Sequence, residues 1–175
     1  MPEFVWDGES LPVPVERIVE DAFGLKIRLT DEMHLAPGLD SEVDRDVSGL
    51  LLTGLGEIWV NRAEAEQWQG RARFTVGHEL GHFVLHRDRL ERTIFCRTVE
   101  TPEDWAEVAG RSGSVDPPPS DESEIEADAF AAALLMPQHL LGPAYRECDG
   151  DLTVLMGEFG TSEKAMRYRV GHLFG

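Results

Sequence analysis

The sequence is short of cysteine, of basic residues and of long apolar runs. Its two cysteines, Cys96 and Cys148, have no framework spacing in 175 residues. That excludes a disulfide scaffold and favours a reducing, cytoplasmic setting. The longest apolar run, "AFAAALLM" at 129–136, stops at Pro137. A bilayer span needs about 20 such residues, so no membrane partner is expected. The start, "MPEFVWDGES", has neither a basic n-region nor an apolar h-region and does not read as a secretory signal. Sixteen basic residues face thirty-three acidic ones, a net charge of -17. Such a surface repels phosphate backbones, which argues against a direct nucleic-acid partner. It suits a basic protein partner, or it serves solubility alone.

What is present fits one α+β domain over residues 1–175, with an ordinary 42% apolar content. "PVPVERIVEDAFG" reads as a short helix that starts after Pro14 and stops at Gly24. "LKIRL" at 25–29 alternates as a half-buried strand does, and the acidic stretch 30–47 reads as a surface loop. "SGLLL" and "EIWVN", separated by "TGLG", carry a hairpin signal. Asn61, with Glu64 three residues on, opens a capping-box-like helix expected to run unbroken to about His86. Residues 96–123 look irregular, and 110–123, rich in Gly, Ser and Pro, read as a flexible loop. "SEIEADAFAAALLMP" then reads as a helix capped by Ser123 and ended by Pro137. The remainder, about 138–175, reads as a helical subdomain of two short helices, "DLTVLMGEFG" and "TSEKAMRYRVGHLF", the second capped by Thr161 or Ser162.

The chemistry concentrates in "GHELGHFVLH", residues 77–86. His78 and His82 are four apart and share one helix face. Both rings can therefore reach one ion, with Zn–N near ~2.1 Å. Glu79 is turned ~100° from the first ligand, where it can take a proton from a metal-held water without being a ligand. Two histidines and a glutamate buried in an apolar-patterned helix without such a role would be costly. His86 lies eight residues beyond His78, ~12 Å along a straight helix. Two donors to one ion sit no more than ~4 Å apart. No glycine turns the chain between His82 and His86, so His86 reads as a helix C-terminal residue, favourable to the dipole or hydrogen-bonded.

The third ligand must come from elsewhere, and "SEIEADAF" offers it. Glu124 and Asp128 share a face. Glu124 would complete a His2Glu site holding one zinc ion, with the fourth position left to water. Asp128, one turn on, can accept the free N–H of a zinc-bound histidine. Glu126 is the alternative ligand, ~200° round the helix from Glu124. Cys96 reads as a packed small hydrophobe rather than a ligand. Tyr145, Tyr168 and His172 are weaker candidates for stabilising an oxyanion.

Together, "RFTVGHELGHFVLH" and "EIEADAFAAALLMP" resemble the ImmA/IrrE family of bacterial zinc metallopeptidases. The N-terminal "PVPVERIVEDAFGLKIRL", the "IWVN" hairpin and the C-terminal "FGTSEKAMRYRV" extend the resemblance over most of the chain. It implies a small gluzincin-like fold: a short antiparallel or mixed sheet packed on the HExxH helix, with a helical C-terminal part. It implies His78 and His82 as ligands, Glu79 as the catalytic glutamate and Glu124 to Asp128 as the downstream ligand motif. It also implies a protein substrate, a helix-turn-helix repressor of a mobile element or stress regulon. Two features depart from the family pattern. Gly77 stands where alanine is usual, and the 97–123 segment is longer than expected. The length leaves no room for an added sensor domain, so the resemblance is to the peptidase domain alone.

Two other readings compete. One is a zinc-containing regulatory partner of a repressor or toxin–antitoxin system without peptidase activity; Glu79 argues against it, since a site without catalysis needs no base there. The other is a structural zinc module, which normally closes its site with four protein ligands.

Overall fold

The computed structural model describes residues 5–37, 47–86, 94–96 and 121–175, the strand residues 94–96 by their backbone. The architecture is α+β, as expected: a four-stranded mixed sheet carries helices on one face. The first helix, α1 (Val15–Arg17), continues into a π-helical turn, Ile18–Ala22, and ends at Gly24 with φ +69°. β1 (Lys26–Thr30) follows, then a 3-10 turn, Met33–Leu35, inside the stretch expected to be loop. β2 (Gly49–Leu52) and β3 (Glu57–Asn61) form the expected hairpin.

The strand order is β1-β3-β2-β4, with β4 spanning Ile94–Cys96. β1 runs parallel to β3, and β2 runs antiparallel to both β3 and β4. The register pairs Gly49 with Val60 on one side and with Cys96 on the other. The "LLL" run is apolar without alternation because the sheet is covered on both faces. Leu50, Leu52 and Trp59 face Met33, Ala36 and Val47. Leu51, Ile58 and Val60 face the main core, where Val76 and Leu80 of the HExxH helix pack.

The helix expected to run from Asn61 to His86 is in fact two. Asn61 does cap α2 (Arg62–Gln67), its side chain accepting from the Glu64 N–H. The chain then breaks at Trp68 (φ -137°, ψ 76°) and restarts as α3 (Gln69–His86). The break seats the start of α3 directly on the turn before the last helix: a Cβ on Gly70 would lie 2.7 Å from the Thr161 carbonyl carbon. Arg73, one turn into α3, locks this arrangement by donating to the carbonyls of Val13 and Gly160 and pairing with Glu16 at 3.2 Å.

α4 (Asp121–Leu135) begins two residues before Ser123, which therefore sits inside its first turn and does not cap it. The flexible loop expected over 110–123 thus ends sooner, and its part up to 120 lies outside the described residues. The C-terminal part holds three helices rather than two: α5 (Gln138–Glu147), α6 (Leu152–Phe159) and α7 (Glu163–Phe174). α5 is the one not expected, because it carries Gly142 and Pro143. It is held by its buried face, Leu141 and Ala144, against the core. Ser162 caps α7, accepting from the Ala165 N–H.

Candidate metal centre

α3 and α4 cross where both are lined with small residues. An added Cβ on Gly81 would lie 3.1 Å from the Ala127 Cα and from its carbonyl oxygen; one on Gly77 would lie 3.4 Å from the Ala131 Cβ. This close approach brings side chains from the two helices onto the same point.

From α3 come His78 and His82, 3% and 1% exposed. Their Nε2 atoms face each other at 2.9 Å. From α4 comes Glu124, with Oε2 3.2 Å from His78 Nε2 and Oε1 3.1 Å from His82 Nε2. Among the described residues these three form the group whose donor atoms could hold a metal ion. Three tetrahedral ligands at ~2.1 Å from an ion stand ~3.4 Å from one another. The observed edges are a few tenths shorter, so only a small opening of the trio is needed. The donor set fits a cation: two imidazole lone pairs and a carboxylate converge where a single proton could satisfy no more than one contact. Two nitrogens and one carboxylate oxygen are the ligand types of zinc sites that keep a fourth position open.

Burial pushes the Glu124 carboxyl up, but hydrogen bonding and positive charge from His78 and His82 outweigh it and hold the carboxyl at about 2. Glu124 is therefore ionised wherever the protein is folded at ordinary pH.

Behind the trio, His78 Nδ1 lies 2.7 Å from Asp128 Oδ1. A carboxylate only accepts, so Nδ1 carries a proton toward Asp128, and Nε2, which faces the trio, is the nitrogen that would hold an ion once its own proton has left. Glu126, the alternative ligand, is not in the trio. Its position ~200° round α4 from Glu124 turns it toward the end of α3, where its Oε2 lies 2.8 Å from His86 Nε2. His86 is buried beyond His82, its ring tilted 51° to that of His82, with the two Nδ1 atoms 3.3 Å apart. Sequence reasoning kept His86 out of the ligand set but gave it no partner. The i, i+4 spacing from His82 was the available signal.

Glu79 is fully buried beside His78. Its carboxylate lies against β2 at Gly49, where an added Cβ would come within 3.0 Å of Oε1 and would overlap the Thr75 methyl. Glycine at this strand position leaves room for the glutamate between helix and sheet. The oxyanion candidates sit in the C-terminal helices. Tyr145 stacks on Phe174 at 4.5 Å, and Tyr168, half exposed, lies parallel to His172. The side chain of Cys96 lies outside what the structure describes.

No helix among the described residues is long and apolar enough to cross a membrane. A comparison with curated proteins returns no match. Among solved structures, the chain is similar to a Mycobacterium tuberculosis transcriptional regulator, with a TM-score of 0.57 and 13% identity. The match covers 94% of this chain and 42% of that one, so the chain spans less than half the length of the regulator. At that identity the likeness shows a shared fold. The profile of the peptidase family described as the IrrE N-terminal-like domain matches residues 51–170, taking in most of the hairpin, the HExxH helix and the Glu124 helix. The chain therefore belongs to the IrrE N-terminal-like, Peptidase_M78 family, as a metallopeptidase-like domain.

Proposed function

We propose that the domain is a cytoplasmic, zinc-dependent endopeptidase that cleaves a helix-turn-helix transcriptional repressor. The observation that carries this reading is the buried trio of His78, His82 and Glu124, with Glu79 following His78 in the chain and itself buried. Family membership supports hydrolysis of peptide bonds. The description of the similar Mycobacterium protein as a transcriptional regulator supports a setting in gene control.

When bound, zinc would polarise the scissile carbonyl and supply a water that ionises near ~pH 7. His78, His82 and Glu124 hold the ion. Asp128 fixes the His78 tautomer and ring orientation. Glu79 accepts a proton at its carboxylate and passes it to the leaving amine. Its complete burial keeps bulk water from competing for that proton.

Incubating the purified chain with the repressor encoded beside it, with and without chelator, tests the reading. Cleavage should appear and should be abolished by chelator. Glu79→Gln should bind one zinc per chain and lose cleavage by a factor of at least ~100. Cleavage retained by Glu79→Gln would overturn the assignment of the base. Zinc binding without any cleavage by the parent chain would favour a regulatory binding partner instead.

A further inference from the structure

The two histidines of the trio are supported differently. His78 is backed directly by a carboxylate, Asp128 at 2.7 Å. His82 is backed by a second imidazole, His86, which is itself backed by a carboxylate, Glu126 at 2.8 Å. His86 is 4% exposed, which is unusual for an imidazole without a task. Its two ring nitrogens reach the two partners at once, so its orientation is fixed from both ends.

The protons in this row can be assigned. Glu126, as a carboxylate, accepts, so His86 Nε2 carries the hydrogen. A neutral His86 then has a lone pair at Nδ1, which faces His82 Nδ1 at 3.3 Å. His82 Nδ1 must therefore be the donor, and His82 Nε2, which faces Glu124 and His78, is the nitrogen that would take an ion once its own proton has left. The row sets His82 in the one tautomer that can ligate through Nε2. It does so across two residues, where Asp128 does it across one.

We propose that His86 and Glu126 are positioning residues for the metal centre, holding the His82 tautomer and ring through the row Glu126–His86–His82. This rests on the assignment of His78, His82 and Glu124 as the ligand set. Glu126 earns its place in "EIEADAF" as the anchor of this row and not as a ligand.

The test is zinc affinity by competition with a chromophoric chelator, joined to two-bond proton–nitrogen spectra of the zinc-loaded chain. In the parent, His82 should show its hydrogen on Nδ1 and His86 on Nε2. His86→Phe keeps the ring volume and removes the acceptor; it should weaken zinc binding by ~10- to 100-fold. His86→Asn returns an acceptor oxygen near the place of Nδ1 and should recover most of that loss, which packing alone would not give. Glu126→Ala, at a half-exposed site that should not disturb folding, should weaken zinc binding several-fold and leave the apo melting temperature in place. The inference is overturned if His86→Phe and Glu126→Ala bind zinc as tightly as the parent, or if His82 carries its hydrogen on Nε2 in the loaded chain. A parent chain that binds no zinc at all overturns the ligand assignment itself, and this inference with it.

Discussion

Gly77 and Gly81 lie one turn apart on the same face of α3, and replacing each by alanine should stabilise the fold at Gly77 but not at Gly81. Any glycine-to-alanine change inside a helix gains about 0.8–1 kcal/mol of helix propensity. At Gly77 the new methyl meets Ala131 atoms at 3.4 and 3.5 Å and Leu135 at 3.9 Å, which are ordinary contacts. The propensity gain should survive there, raising the melting temperature by roughly 2–4 °C for a chain of this size. At Gly81 the methyl meets the Ala127 Cα and carbonyl oxygen at 3.1 Å and a Phe130 ring carbon at 3.2 Å. Two of these three are backbone atoms, which no rotamer change can move. Overpacking costs about 1–3 kcal/mol, so Gly81→Ala should be neutral to about 2 kcal/mol less stable. The helices must part by a few tenths of an ångström where Glu124 faces the histidines, so zinc affinity should fall as well. Thermal unfolding of the metal-free variants, followed by zinc competition, reads both effects. Equal stabilisation by the two substitutions, with zinc affinity unchanged, would show that these glycines do not set the α3–α4 spacing.

Other outcomes follow from the same geometry. Glu124→Ala should abolish tight zinc binding, and Asp128→Asn should weaken it by roughly 10- to 100-fold by loosening His78; equilibrium dialysis with elemental analysis measures both. If Glu126→Ala rather than Glu124→Ala empties the site, the ligand assignment is wrong. The lowered Glu124 carboxyl also has a signed consequence in the metal-free chain. A carboxyl whose folded value is depressed adds stability that is fully present above its ordinary value of 4.5 and is lost as pH falls through about 2. Acid unfolding of the parent should therefore lose stability over that window relative to Glu124→Gln.

The features legible in the sequence were those governed by local spacing. His78 and His82 at i, i+4, Glu124 and Asp128 at i, i+4, the Asn61 and Ser162 caps and the "TGLG" hairpin all follow from helix and turn geometry within a few residues. What escaped was decided by distant neighbours. In "EQWQGRA" Gly70 is a local weakness for a helix, but neither the break at Trp68 nor the seat of Gly70 on the Thr161 backbone, some ninety positions away, could be read from it. α5 contradicts its own composition, with Pro143 inside it, and exists because Leu141 and Ala144 have a core to enter. The partner of His86 could not be read either, because pairing it with Glu126 requires the crossing of two helices to be known. Glu126 looked like a competing ligand for the same reason: a helical wheel gives its direction relative to Glu124 but not what stands opposite.

α4 supplies the acidic member of the trio and both carboxylates that back the histidines: Glu124 in the trio, Asp128 behind His78 and Glu126 at the end of the His82 row. The histidines on α3 contribute nothing but imidazole. The centre is thus assembled by the docking of one segment, and it should form or dissolve as a unit rather than ligand by ligand. Ion retention and adhesion between the two helices would then be a single quantity: a bound ion would clamp the seam, and whatever loosens the seam would release the ion. A cell could tune such a centre by acting on the seam alone, without touching a histidine.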